Sequence, residues 1–176
     1  MKMDMLNIVN FAINGVEKFL SENPDLTFYA FAFACDVEGA EINLCLNTEE
    51  AFSETLAFYQ SGKYAEQYQT EERKQDLKYN TGDWKYQCFD TFYVLNEEEL
   101  TAIFNEIYPN EVEDDYQSWV NFTNELLVEF TKSLIAFSNT ETFKNIPKTG
   151  DFQFFCIDHE EEVEAAIKRI KTLKTL

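Results

Sequence analysis

Apolar residues recur along residues 4–21 at three- and four-residue steps, at Leu6, Val9, Ile13, Val16 and Leu20. That spacing predicts an amphipathic helix, with Asp4 as its N-cap and Asn23-Pro24-Asp25 as its stop. The period then changes. Residues 26–36, LTFYAFAFACD, are apolar on both alternating faces, which predicts a central strand covered on each side. In residues 41–46, EINLCL, Ile42, Leu44 and Leu46 alternate with Asn43 and Cys45. The two runs, joined by 37–40, therefore read as a β-hairpin.

The helical period returns after Asn47, expected to cap a helix with Glu50 three residues on and Phe52, Leu56 and Tyr59 as its stripe. Ser61-Gly62 can stop it, and the polar, Tyr-containing run 63–75 reads as irregular or weakly helical. A turn signal, Asn80-Thr81-Gly82-Asp83, precedes one or two strands over 84–94. Asn96 and Glu99 have capping-box spacing ahead of Leu100, Ile103, Phe104 and Ile107, which are expected to face the core. Pro109 ends that helix, and 110–115, NEVEDD, form an acidic link. The longest helix is predicted from Tyr116 to Phe137, with Trp119, Thr123, Leu126, Phe130, Leu134 and Phe137 on one face. A strand over 152–157 and a last helix complete the chain. Asp158 is expected to cap that helix, with Glu161 as its reciprocal partner and Val163, Ala166, Ile167, Ile170 and Leu173 as its stripe. The order predicts α+β: a single domain over 1–176, with a mainly antiparallel sheet of about four strands and helices packed on it.

Composition changes this picture little; charge changes it more. Seventeen Phe and nine Tyr make disorder untenable. The net charge is −19, and it is uneven. Lys168, Arg169, Lys171 and Lys174 close the chain without an acid, so residues 1–164 hold 10 bases against 33 acids, a balance of −23. From Tyr86 to Thr131 there is no lysine or arginine, and there are eleven carboxylates. Part of this is helix construction, because Glu97–Glu99 suit the first turn of a helix. The missing counter-charge and the NEVEDD link remain. Such a field disfavours direct binding to nucleic acid or to anionic membranes and suits a basic protein partner.

No signal peptide or membrane-length apolar run is evident, so a soluble cytoplasmic protein is expected. Cys35, Cys45, Cys88 and Cys156 lie in apolar or strand-like runs and are expected to be reduced, buried thiols.

Catalytic motifs are wanting. His159 is the one histidine; a zincin needs a second four residues on, where Val163 stands. Cys156 with His159 has too few ligands for a structural zinc site, and as a nucleophile pair it is disfavoured by the apolar run around the thiol. Glu111, Glu113, Asp114 and Asp115 are dense but lack the glycine and spacing of a calcium loop. Phosphate-binding glycine loops are missing. No catalytic residue, metal or cofactor is therefore expected. Trp84 can line a pocket or anchor the sheet, and the anchor is the favoured reading. Tyr59, Tyr64, Tyr68 and Tyr79 can serve an interface or cover the sheet.

Three segments, FYAFAFACD with LNTEE at 28–50, GDWKYQ at 82–87 and GDFQFFCIDHEEEVEAAIKRI at 150–170, resemble the uncharacterised bacterial domain of unknown function 4303 family. The resemblance covers about residues 5–172 and implies a small bacterial α+β domain without an established activity. It also implies similarity to proteins found near polymorphic toxin genes, for which immunity is a common guess. No catalytic residue carries over.

The leading expectation is a non-enzymatic acidic binding protein, an immunity protein neutralising a basic, nuclease-like toxin domain. Its expected contact residues are Glu97, Glu98, Glu111, Glu113, Asp114 and Asp115. The alternative is a small-molecule-binding or enzymatic domain with a pocket near Trp84, Asp158 and His159. A third reading is a scaffold that self-associates through its aromatic residues.

Overall fold

A computed structural model describes residues 5–63, 65–108, 114–159 and 161–175, apart from the side chains of residues 114 and 115. The elements run α1 (Met5–Glu22), β1 (Phe28–Asp36), β2 (Glu41–Asn47), α2 (Glu49–Ser61), α3 (Glu71–Tyr79), β3 (Tyr86–Tyr93), α4 (Glu97–Ile107), α5 (Asp114–Ser138), α6 (Glu141–Lys144), β4 (Lys148–Asp158) and α7 (Val163–Lys174). The architecture is α+β. Short 3₁₀ turns at Ala65–Tyr68 and Thr81–Asp83 flank α3.

One sheet of order β3-β2-β1-β4 organises the fold. β1 is central, as its two apolar faces require, and β2 pairs antiparallel with it through Phe31–Leu46, Phe33–Leu44 and Cys35–Ile42. β3 adds to β2 antiparallel, while β4 adds to β1 in parallel. The four-stranded sheet is thus mixed: mainly antiparallel, with one parallel pair. The parallel pair follows from chain order, since β4 returns to β1 only after the long α4–α6 excursion.

Opposite residues of neighbouring strands share a face. Phe31, Phe33, Leu44 and Leu46 therefore form one apolar side, against which α1, α5 and α6 pack. Phe137 of α5 lies 5.5 Å from the Phe31 ring and 6.3 Å from that of Phe33. The long helix buries Trp119, Leu126, Phe130, Leu134 and Phe137, the face its periodicity predicts. On the other side, Tyr29, Tyr79, Trp84 and Phe155 form edge-to-face pairs near 6 Å that fasten α3 to the sheet.

Several expectations are corrected. Of the expected α1 stripe, Val16 is buried and Ile13 and Leu20 pack partly on the core, but the fully buried line runs through Ile8, Ala12, Gly15, Val16 and Phe19, and Leu6 is exposed. Small residues at 12 and 15 let the helix approach the sheet closely, and that approach chooses the face. The cap of α2 is Thr48, whose hydroxyl accepts from the Ala51 N–H at 3.1 Å. Asn47 is buried one residue earlier, donating to the Tyr29 hydroxyl at 3.0 Å. Residues 71–75, the end of the run expected to be irregular or weakly helical, belong to a regular helix, 71–79, capped by Thr70. Asp158 does not cap α7, because it is the last residue of β4 and its carboxylate accepts from the Val37 N–H at 3.2 Å. Glu161 does accept from the Asp158 N–H, at 3.5 Å, but it mainly grips Arg169, at 2.5 and 2.8 Å, and the same guanidinium donates to the Cys156 carbonyl and the Thr131 hydroxyl. That fork ties α7 to both β4 and α5. Asn96 and Glu99 form the expected capping box on α4. Asp4, Tyr64, Pro109 and the link residues Glu111 and Glu113 lie outside the described residues.

Candidate functional site: an aromatic groove beside acidic helix starts

α4 begins with an acidic turn and carries few groups to bury. None of its residues is buried, and only Leu100 and Ile103 pack against the core. Phe104, expected to face the core, is 45% exposed. It sits on the stripe Thr101, Phe104, Tyr108, which faces the first turns of α5. There Tyr116, 63% exposed, and the buried Trp119 stand one turn apart. The Phe104 ring stacks on Tyr108 at 4.7 Å and meets Trp119 edge-on at 5.3 Å. Together with Leu100, Thr101 and Glu38, these rings line an apolar groove of about 710 Å³. The Trp119 indole N–H points at the Glu38 carboxylate, 3.5 Å away.

Glu97 and Glu98 are exposed on the first turn of α4, one turn before the groove residues Leu100 and Thr101. Asp114 and Asp115 open α5, immediately before Tyr116. Glu111 and Glu113, in the link between the two helices, lie outside the described residues. Sequence reasoning assigned Phe104 and Trp119 to the core and did not single out Tyr108 or Tyr116. The available signal was the pair of aromatic residues on each side of one acidic link.

A second concavity, of about 610 Å³, lies where α3 faces the end of β4 and the start of α7. Asp158 and His159 line it together with Arg73, Asp76, Tyr79 and Asp83. Trp84 does not line it. It is 2% exposed, and its indole N–H donates to the Lys78 carbonyl at 2.9 Å, so it anchors the sheet. Asp83 accepts from the Tyr59 hydroxyl at 2.7 Å and from the Asn80 amide at 2.6 Å. Bonding to that carboxylate pushes the Tyr59 hydroxyl up to about 12. Carboxylates outnumber cations here, so the cleft suits a small cationic group.

Among the described residues, no cluster of three or more His, Cys, Asp or Glu side chains is placed to hold a metal ion. No helix among them is long and apolar enough to cross a membrane. His159 lies 3.6 Å from the Asp158 carboxylate but is mostly exposed.

No curated protein and no solved structure matches this chain. The model of one family, the domain of unknown function DUF4303, matches residues 8–175. Nearly the whole fold described above lies inside that match, and the chain belongs to the DUF4303 family.

Proposed function

We propose that this chain is a non-enzymatic acidic binding protein whose α4–α5 groove receives a basic protein partner. The role that fits best is that of an immunity protein occupying the phosphate-binding surface of a nuclease-like toxin domain. Nuclease surfaces must be basic to hold phosphate, so an acidic protein with an apolar anchor is their natural complement. The carrying observation is the groove itself: Phe104, Tyr108, Tyr116 and Trp119 gather within a stretch, 86–131, that has no lysine or arginine. Aromatic residues supply most of the energy at interfaces, and surrounding charges set encounter rate and orientation.

The division of labour is testable. Reversing Glu97, Glu98, Glu111 and Glu113 to lysine is expected to slow association with the basic partner at least about tenfold at low salt. High salt should erase that difference. An unchanged on-rate at low salt contradicts the assignment of this surface.

A second reading draws on the cleft at Asp158 and His159, whose volume of about 610 Å³ suits a small ligand. It predicts that a small amine or guanidine ligand raises the thermal midpoint of the wild type and not of Asp83→Asn. Equal shifts in both proteins, or none in either, remove this reading.

A further inference from the structure

Cys45 and Cys88 meet at an irregularity in the sheet. Leu44 pairs with Asp90 and Leu46 with Tyr86, so one residue of β2, Cys45, faces three of β3: Gln87, Cys88 and Phe89. The two extra residues form a bulge. Cys88 adopts φ 48°, a left-handed conformation unusual for a side chain other than Asn, Asp or Gly. Its backbone N–H donates to the Cys45 sulfur at 3.2 Å. The neighbouring Phe89 stacks on Phe19 of α1 at 4.3 Å, so the bulge turns one residue inward and leaves Cys88 on the surface. Cys45 beneath it is buried, beside Ala32 of β1. Of the four cysteines expected to be buried, Cys88 alone is exposed.

We propose that Cys88 and Cys45 form a two-electron oxidation site that a hydroperoxide converts to an intrachain disulfide. Cys88 is the attacking thiolate because it is exposed. Its sulfur displaces water from hydrogen peroxide, taking up one oxygen to become a sulfenic acid. The Cys45 thiol then attacks that sulfur, the S–O bond breaks, and a second water leaves as the disulfide forms. Two thiols lose two electrons and two protons, and one peroxide is reduced to two waters. The Cys45 thiol, donating to the Cys88 sulfur, holds Cys88 down to about 7, which favours the thiolate. Partial burial and, less strongly, the nearby Glu41 carboxylate oppose this.

The other thiol pair is an internal control. Cys35 and Cys156 have sulfurs 3.6 Å apart, but both are buried, so neither offers an exposed thiol as Cys88 does. An oxidant reaches that pair only through the core.

The test is brief exposure of the whole chain to hydrogen peroxide, followed by thiol blocking and peptide mass mapping. The expected product is a Cys45–Cys88 linked peptide, reversible by dithiothreitol, with Cys35 and Cys156 reduced. In Cys45→Ser, Cys88 should stop at a sulfenic acid that dimedone captures. Its alkylation midpoint by iodoacetamide should also lie above that of the wild type, nearer to an ordinary thiol. Linkage of Cys35 to Cys156, a Cys88–Cys88 dimer, or an unlinked Cys88 in peroxide-treated wild type would each overturn the proposal. The wild-type mapping decides the matter even if a variant folds poorly.

Discussion

Tyr29 illustrates how one buried hydroxyl organises the α3 side of the sheet. It donates to the Lys78 carbonyl at 2.5 Å and accepts from the Asn47 amide at 3.0 Å. The Lys78 ammonium sits 4.6 Å from its ring and bonds Glu49 at 2.7 Å. Burial raises the Tyr29 hydroxyl well above its ordinary value of 10.0. A raised acid is neutral in the fold, so its contribution is full below about pH 10 and is lost as pH climbs toward the folded value. Denaturant titrations should therefore show stability falling above about pH 10. Tyr29→Phe should remove part of that slope. At neutral pH it should cost about 1–3 kcal/mol, because the buried Asn47 amide loses its acceptor. A neutral-pH loss near zero would mean that the Asn47 amide finds another partner.

At the scale of elements, α1 is placed by its small residues. A Cβ on Gly15 would lie 2.7 Å from Leu44 Cδ1 and 2.9 Å from the Asp90 carboxylate. Alanine gains about 1 kcal/mol of helix propensity over glycine. Overpacking against a buried strand costs about 1–3 kcal/mol. Gly15→Ala is accordingly expected to lower the urea midpoint with an unchanged slope, a net loss of about 1 kcal/mol. A higher midpoint would show that the helix can ride outward without penalty.

The same helix marks where sequence reading ends. The alternation of Ile42, Leu44 and Leu46 and the Asn96–Glu99 box are local signals, and both stand in the structure. The buried face of α1 is decided by distance of approach to the sheet, a tertiary quantity, and Leu6 loses to Ile8 for that reason. Capping by Thr48 rather than Asn47 has a similar origin, since Tyr29 claims the Asn47 side chain from a distant strand. The bulge at Cys88 carries no glycine to announce it. Phe104 is legible as a helix residue but not as an exposed one, because among the described residues its side of α4 faces only the start of α5 and Glu38 across an open groove.

For the whole molecule, the helices are distributed unequally over one sheet. α1, α5 and α6 cover one face with large apolar contacts, and α7 is tied to β4 and α5 by Arg169. α4 stands apart, joined mainly to α5, with aromatic rings open to solvent. The acidic excess of residues 1–164 surrounds that opening in sequence, while the basic close of the chain lies on α7. The proposed division follows: rings supply affinity, carboxylates supply steering, and the sheet holds both in place.

The central claim is most directly tested by dissociation kinetics of the basic protein that the wild-type chain captures from its native cells, measured on immobilised wild type and on Phe104→Ala/Tyr116→Ala. The double variant should fold, since Tyr116 is 63% and Phe104 45% exposed and neither belongs to the buried core. Its complex should dissociate at least about tenfold faster, equivalent to about 1.4 kcal/mol, at low and high salt alike. Equal dissociation rates, or a captured partner that is itself acidic, would contradict the account.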